Sequence, residues 1–328
     1  MTNKPLLICM TPVRNEAWVL HAFLKVTSLW ADYIIIADQQ STDESREIAL
    51  TFPKVILLDN NNPEFNELER QKILIDRARQ IVGDKILFGL DADEMFSANF
   101  IQTLDWNNIL KSKPGDVYWF RWANVCSNQR EFWSPETFYP WMFHDDGNEP
   151  HGNYVRNIHS MRIPYPIEEK QMFYVNDFKV LHLAYLNPVR VESKNRFYKF
   201  VDWEMNRRSV ITLSRTYNKN KLEKKFKKLT SDYNYLKPQY EFNLFDNVEI
   251  LSDKFWFDEF IYDRIKKYPL INIKRLDIWD RKFLLAFNLT DPRTIWDKII
   301  HFYLNKSNGF SNMLIVRFTD RILKLIGI

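Results

Sequence analysis

The chain has 328 residues, of which 45% are hydrophobic and 27% charged, with a formal net charge of +4. That composition is ordinary for a globular protein, and the length suffices for one large core or two smaller ones. The charge is too small to imply a nucleic-acid partner, no run approaches the roughly 18 apolar residues of a bilayer span, and the scarcity of glycine argues against glycine-rich phosphate loops. Cys9 and Cys126 both fall in apolar segments, so they read as buried free thiols rather than a disulfide or metal site. The apolar run at 6–10 meets Pro-Val-Arg-Asn-Glu at once and is too short for a signal peptide, which sets the expectation of a cytoplasmic protein.

Residues 6–13 read as a strand ending in the polar loop Arg14-Asn15-Glu16, followed by a helical pattern through Trp18, Leu20, His21, Leu24 and Leu29. A second buried strand at 33–37 ends on Asp38. Ser41-Thr42-Asp43-Glu44 then supplies capping and first-turn residues for a helix to about residue 52. A third strand at 55–58 and a long helix at 67–82 lead to the apolar run Ile86-Leu87-Phe88-Gly89-Leu90, which passes directly into Asp91-Ala92-Asp93-Glu94. If the chain stays extended there, Asp91 and Asp93 leave the same face and repel each other unless a cation sits between them. A hard divalent ion, Mg²⁺ or Mn²⁺, is the natural partner; the plainer reading is an acidic turn with one aspartate capping the next helix.

Repeated strand and helix units with continuous apolar strands predict an α/β fold, a mostly parallel sheet with helices on both faces. Right-handed crossovers place Asn15, Asp38, Asp91 and Asp93 on one sheet edge, outside the carboxyl ends of the strands, where such folds bind ligands. Beyond residue 110 the character changes. Residues 117–123 are strongly β-prone, 131–165 are rich in aromatics and hold His144, His151 and His159, and 180–186 read as a strand stopped by Asn187-Pro188. A helix is expected over about 189–210, and the lysine cluster at 219–228 reads as a solvated helix face or an anion-binding patch. The expected organisation is a catalytic domain at 1–212, with halves at 1–110 and 111–212, and a mainly helical region at 213–328. Its last stretch, 312–328, is amphipathic: Arg317, Asp320, Arg321 and Lys324 oppose Leu314, Ile315, Phe318, Ile322, Leu325 and Ile326. It suits packing, homo-oligomerisation or peripheral contact with a membrane.

Three motifs in order, Thr11-Pro12-Val13-Arg14-Asn15-Glu16, Asp38-Gln39-Gln40-Ser41-Thr42-Asp43 and Asp91-Ala92-Asp93, resemble those of the family 2 glycosyltransferases, nucleotide-sugar enzymes of the GT-A fold. The resemblance covers about residues 5–96 and is looser to about 200. It implies a nucleotide-diphosphate sugar donor, a glycan or lipid-linked acceptor such as a surface polysaccharide or lipopolysaccharide, Mn²⁺ or Mg²⁺, and no nucleic acid. Pro12, Asn15, Glu16, Asp38 and Arg70 would line the nucleotide pocket. Asp91 would contact the ribose or the metal's water shell, Asp93 would bind the metal, and His182 would complete its site unless it is a core histidine beside Tyr185. Arg190, Lys194 and Arg196 would face the diphosphate, with ordinary helix-surface charge as their plainer role.

An inverting transferase also needs a base for the acceptor hydroxyl. Where this family has a His-Glu pair, the chain reads His159-Ser160, which leaves as candidates His159 or a nearby carboxylate, Glu136, Asp145, Asp146 or Glu149. The same departure keeps open an alternative, a degenerate member that binds a nucleotide sugar or a partner without turnover.

Overall fold

The structure is a computed structural model and describes residues 4–147, 160–163, 171–218, 227–228, 255–325 and 327. Its first elements follow the expected alternation: β1 (Leu6–Val13), α1 (Ala17–Thr27), β2 (Tyr33–Asp38), α2 (Ser45–Leu50), β3 (Val55–Asp59), α3 (Glu67–Arg79) and β4 (Lys85–Gly89). Alternate side chains of the strands serve opposite faces. Leu7, Cys9, Ile34, Ile36, Ile86 and Phe88 pack with α1, whereas Ile8, Met10, Ile35, Ala37 and Leu87 pack with Leu74, Ile75 and Ala78 of α3. Burial on both faces is why these strands are apolar at nearly every position.

Next come β5 (Glu94–Phe96), α4 (Leu104–Leu110), β6 (Val117–Phe120), β7 (Trp122–Val125), β8 (Glu131–Trp133), β9 (Tyr139–His144), β10 (Met172–Tyr174) and β11 (Val180–His182). Among the described residues the main sheet has the order β10-β6-β9-β4-β1-β2-β3. Its β1–β2, β2–β3, β1–β4 and β6–β10 pairs are parallel, and β9 is antiparallel to β4 and β6. This is the expected α/β class with a mostly parallel sheet. A second sheet, completed by β12 (Lys227–Lys228), has the order β12-β8-β7-β11-β5.

Several boundaries differ from expectation for physical reasons. The helix expected from residue 41 begins at Ser45, because Ser41, Asp43 and Ser45 accept hydrogen bonds from the backbone of Asn15, Ala17 and Glu16. The β-prone run 117–123 is two strands in two sheets, parting at Arg121. The strand expected over 180–186 stops at His182, and Leu183–Leu186 form a 3-10 turn. Cys9 is buried, as expected, and burial raises its thiol pKa; Cys126 lies just beyond β7 and is only half-buried. Of the lysine cluster, Lys227 and Lys228 form an exposed strand rather than a helix face, and the rest lies outside the described residues.

The chain divides into two compact units: the first runs to Leu186 and includes β12, and the second begins at Asn187, earlier than residue 212, so the helix after that point belongs to the second unit. That unit holds α5 (Pro188–Asn206), α6 (Val210–Tyr217), α7 (Trp256–Ile265), α8 (Leu270–Ile273), α9 (Arg281–Ala286), α10 (Ile295–Ser307) and α11 (Leu314–Leu325). Asn187 caps α5 by accepting from the Val189 and Arg190 amides, and Pro188 occupies the first turn, where a missing N–H costs nothing. Arg196 of α5 is buried and clamps Asp258 through two nitrogens, at 2.9 and 2.7 Å, and Asp280 at 2.6 Å. Among the described residues no helix is long and apolar enough to cross a membrane.

Candidate functional site

The site begins with strand ends. Val13, Asp38 and Asp59 are aligned across β1, β2 and β3, and β4 ends at Gly89 opposite Met10. β1 therefore runs on past its last β4 partner. Pro12, which lacks an N–H, occupies this overhang, where β1 is bonded on its β2 side alone. Asn15 takes the left-handed conformation at φ 53 and exchanges hydrogen bonds with Thr42, its Oδ1 accepting from the backbone at 2.7 Å. Glu16 accepts from Trp18 Nε1 at 2.6 Å. Thus Asn15 and Glu16 brace the loop between β2 and α2, which fixes the edge on which Asp38 lies.

Asp38 is buried. Its Oδ2 accepts from Arg46 Nη1 at 2.7 Å and from the Ser41 amide at 3.3 Å, while its Oδ1 is buried without a hydrogen-bond partner among the described residues. Arg46, on α2, reaches Asp59 with its other nitrogen at 2.7 Å. Burial lowers the Arg14 pKa, the neighbouring Arg70 adds to that, and Asp38 opposes it. Arg70 itself lies over the Phe65 ring at 4.7 Å. Two arginines thus flank a carboxylate at the carboxyl edge of the sheet. Arg14 and Arg46 had not been singled out as site residues, although Arg14 stands inside the first motif.

The expectation that Asp91 and Asp93 share a face of an extended strand is corrected. The chain turns after Gly89, with the Glu94 amide donating to the Asp91 carbonyl at 2.9 Å, and Glu94 starts β5. Asp91 and Asp93 are therefore parted by a turn. Asp91 accepts from Arg162 Nη2 at 2.6 Å, whereas Asp93 is buried, with Oδ1 3.9 Å from His182 Nε2. His182 stacks on Trp122 at 4.9 Å and meets the Tyr185 edge at 5.7 Å. Its Nδ1 lies 2.7 Å from Asn124 Oδ1, a neighbour in register across β7 and β11. With the amide oxygen accepting, Nδ1 donates, and Nε2 is the ring nitrogen turned toward Asp93. A histidine so oriented, opposite a buried carboxylate, fits a divalent cation. Among the described residues no three His, Cys, Asp or Glu side chains are gathered around an ion position, and Asp91 is paired with Arg162.

Arg162 and Glu94 were missed in the sequence. Glu94 is fully buried and accepts from Trp122 Nε1 at 2.7 Å, from the Asp91 amide at 2.9 Å and from Arg162 Nη1. Burial pushes its carboxyl up to about 7; Asp91 and Asp93 push the same way and Arg162 opposes them. Burial works against the Arg162 charge, but Asp91 and Glu94 outweigh it and raise the guanidinium pKa. The segment around Arg162 is pinned at Ser160, whose amide donates to Glu67 of α3 at 2.9 Å, and at Ile163, which is buried in the α3-side core. Gly89 makes this approach possible, since a Cβ there would lie 2.8 Å from both the Cβ and the carbonyl oxygen of Arg162. A glycine inside a buried strand was the available signal. Gly89→Ala is accordingly expected to push this segment off β4 at a cost of about 1–3 kcal/mol, measurable by denaturant unfolding.

Asp145 is corrected as a candidate base. It follows β9, whose His144 pairs with Ile86 at the start of β4, so it lies at the amino end of that strand, while Asp91 and Asp93 follow its carboxyl end. There it is held by Arg79 at 2.8 and 3.2 Å. Glu149 and His159 lie outside the described residues. Arg190 and Lys194 lie on α5 in the second unit, where Arg190 is buried with its guanidinium 5.4 Å from the centre of the Phe257 ring.

No family model and no curated protein sequence matches the chain. Solved structures do. Glucosyl-3-phosphoglycerate synthase from Mycobacterium tuberculosis, in complex with Mn²⁺, UDP and glucosyl-3-phosphoglycerate, is 17% identical over 37% of this chain and 43% of its own, with a TM-score of 0.25. GalNAc-T7 with UDP, GalNAc and Mn²⁺ is 15% identical over 82% of this chain and 59% of its own, with a TM-score of 0.39. A 4-diphosphocytidyl-2C-methyl-D-erythritol synthase is 11% identical over 28% and 47%, with a TM-score of 0.22. The chain spans less than two thirds of each of these proteins.

Proposed function

We propose that the first unit is a GT-A-type glycosyltransferase that moves a sugar from a nucleotide-diphosphate donor to a glycan or lipid-linked acceptor, using Mn²⁺ or Mg²⁺. The observation that carries this reading is the pairing of buried Asp93 with the Nε2 face of His182, on the edge that also holds Asp38, Arg14 and Arg70. Asp93 and His182 would hold the ion and Asp91 would join them or its water shell. A bound divalent ion supplies Lewis-acid stabilisation of the leaving diphosphate. Asp38 Oδ1 offers an acceptor to a nucleobase N–H, and Arg14 and Arg70 offer positive charge to the phosphates. Arg162 balances the carboxylates Asp91 and Glu94 before any ion arrives. With Asp145 engaged at the other end of β4, His159 and Glu149 are the candidates for the base of an inverting reaction.

The degenerate reading has one observation in its favour. Ser160, which stands where the family has a carboxylate, gives both its amide and its hydroxyl to Glu67. A panel of nucleoside-diphosphate sugars tests both readings, by calorimetry with Mn²⁺ or EDTA and by assay for slow hydrolysis. One donor is expected to bind only with metal and to be hydrolysed. Equal affinity in EDTA overturns the metal assignment, and metal-dependent binding without turnover in the presence of any acceptor selects the degenerate reading.

A further inference from the structure

The helices α10 and α11 of the second unit are amphipathic in an inverted sense. In α10 the buried side chains are Asp297, His301, Leu304 and Ser307, while Ile295, Trp296, Ile299 and Phe302 are 78, 73, 50 and 64% exposed. At 100° per residue, the exposed set spans one arc and the buried set the opposite one. In α11 only Val316 is buried, and Leu314, Ile315, Phe318, Ile322 and Leu325 are 83, 70, 65, 44 and 81% exposed on one arc. Between the two helices, Phe310 and Met313 are 59 and 54% exposed. So many large apolar side chains in one stretch exceed the scattered exposure of an ordinary surface.

The acids of the two helices and His301 are turned inward. Asp297 closes the α10 capping box with Thr294, and His301 Nε2 donates to the Arg275 carbonyl at 2.8 Å. Asp320 takes Arg215 at 2.8 and 2.9 Å and Tyr303 at 2.9 Å. With those acids engaged there and Lys298 paired with Asp291 at 3.3 Å, the exposed charge beside the apolar arcs is positive: Lys306 on α10, and Arg317, Arg321 and Lys324 along one border of the α11 arc.

We propose that α10 and α11 seat this protein on an anionic lipid surface, with Trp296, Phe302 and Phe318 entering the headgroup boundary and Lys306, Arg317, Arg321 and Lys324 meeting lipid phosphates. A broad apolar arc with a basic border and an aromatic anchor is the design of an interfacial helix. A second copy of the chain is the poorer occupant, because self-pairing brings the same cationic borders together. The inference needs nothing from the glycosyl-transfer reading and extends the contact surface from the last helix to two.

Full-length protein is mixed with phosphatidylcholine vesicles, with or without phosphatidylglycerol, and binding is read by flotation. Binding to the anionic vesicles is expected, weakening as salt rises. Reversing Arg317, Arg321 and Lys324 to glutamate should lower the partition coefficient by at least about a hundredfold, since each surface cation is worth about fivefold. Trp296→Gln with Phe318→Gln should abolish binding to either vesicle without changing circular dichroism, and the charge variant alone decides the matter if this double variant fails to fold. Absence of binding to anionic vesicles overturns the proposal. So does a dimer in light scattering that the apolar variant dissociates, since a second copy would then cover the face.

Discussion

Asp93→Ala is expected to remove metal-dependent binding of a nucleoside diphosphate while leaving the metal-free protein at least as stable as the parent. The two halves of that expectation have separate causes. Changing a residue that merely orients a metal ligand costs about 10- to 100-fold in affinity, and loss of a carboxylate ligand should exceed that. Stability moves the other way because Asp91, Asp93 and Glu94 crowd one turn, and the repulsion is visible in Glu94, whose carboxyl both aspartates push upward. Thermal unfolding with Mn²⁺ and UDP, against EDTA, reads both. At about 100 times Kd the ligand should stabilise the parent by about 2.7 kcal/mol and the variant by none. Asn124→Leu, which takes away the partner of His182 Nδ1, should fall between them. An equal ligand-induced shift in Asp93→Ala would remove Asp93 from the metal site.

The sheet edge was legible because it rests on local pattern. Continuous apolar strands alternating with helices specify a parallel sheet, and the sheet then decides that Asp38 and Asp91 leave the same edge. What followed Gly89 was not legible. Periodicity cannot tell a strand that continues from one that turns, and here the Glu94 amide closes on the Asp91 carbonyl. Arg162 was hidden for another reason: it reaches Glu94 and Asp91 across 68 and 71 residues of chain, from a segment with no repeating pattern. Asp145 shows the same limit in reverse. Its charge and its aromatic surroundings suggested a base, but the antiparallel direction of β9 carries it to the wrong end of β4. For the turn after Gly89 and for Asp145 the deciding fact is a chain reversal, and reversals leave little trace in spacing.

Arg162→Met is the substitution expected to have the largest effect on stability. It leaves Glu94, fully buried, facing Asp91 and Asp93 without the cation that opposes them. Breaking a buried ion pair from one side costs about 3–5 kcal/mol, and the partial exposure of Arg162 places this case toward the low end. Glu94→Gln added to Arg162→Met should restore much of the loss, since an amide still accepts from Trp122 and carries no charge to be balanced. A double-mutant cycle by denaturant unfolding measures that coupling, and additive losses would show that Arg162 acts through packing on Trp141 instead. The pH dependence has a definite sign. The Glu94 carboxyl is raised in the folded protein from about 4.5 to about 7, so its contribution favours folding fully below the lower value and is lost as pH rises through the upper one. Without Arg162 the folded value rises further, and the variant should lose stability more steeply than the parent toward neutral pH. Metal affinity should change in the opposite direction. Arg162 competes for Asp91, so Mn²⁺ alone, titrated by electron paramagnetic resonance, should bind the variant more tightly. One side chain that stabilises the empty site and weakens its ion has the role of a resident counter-cation, and a purely structural arginine would give the first effect without the second.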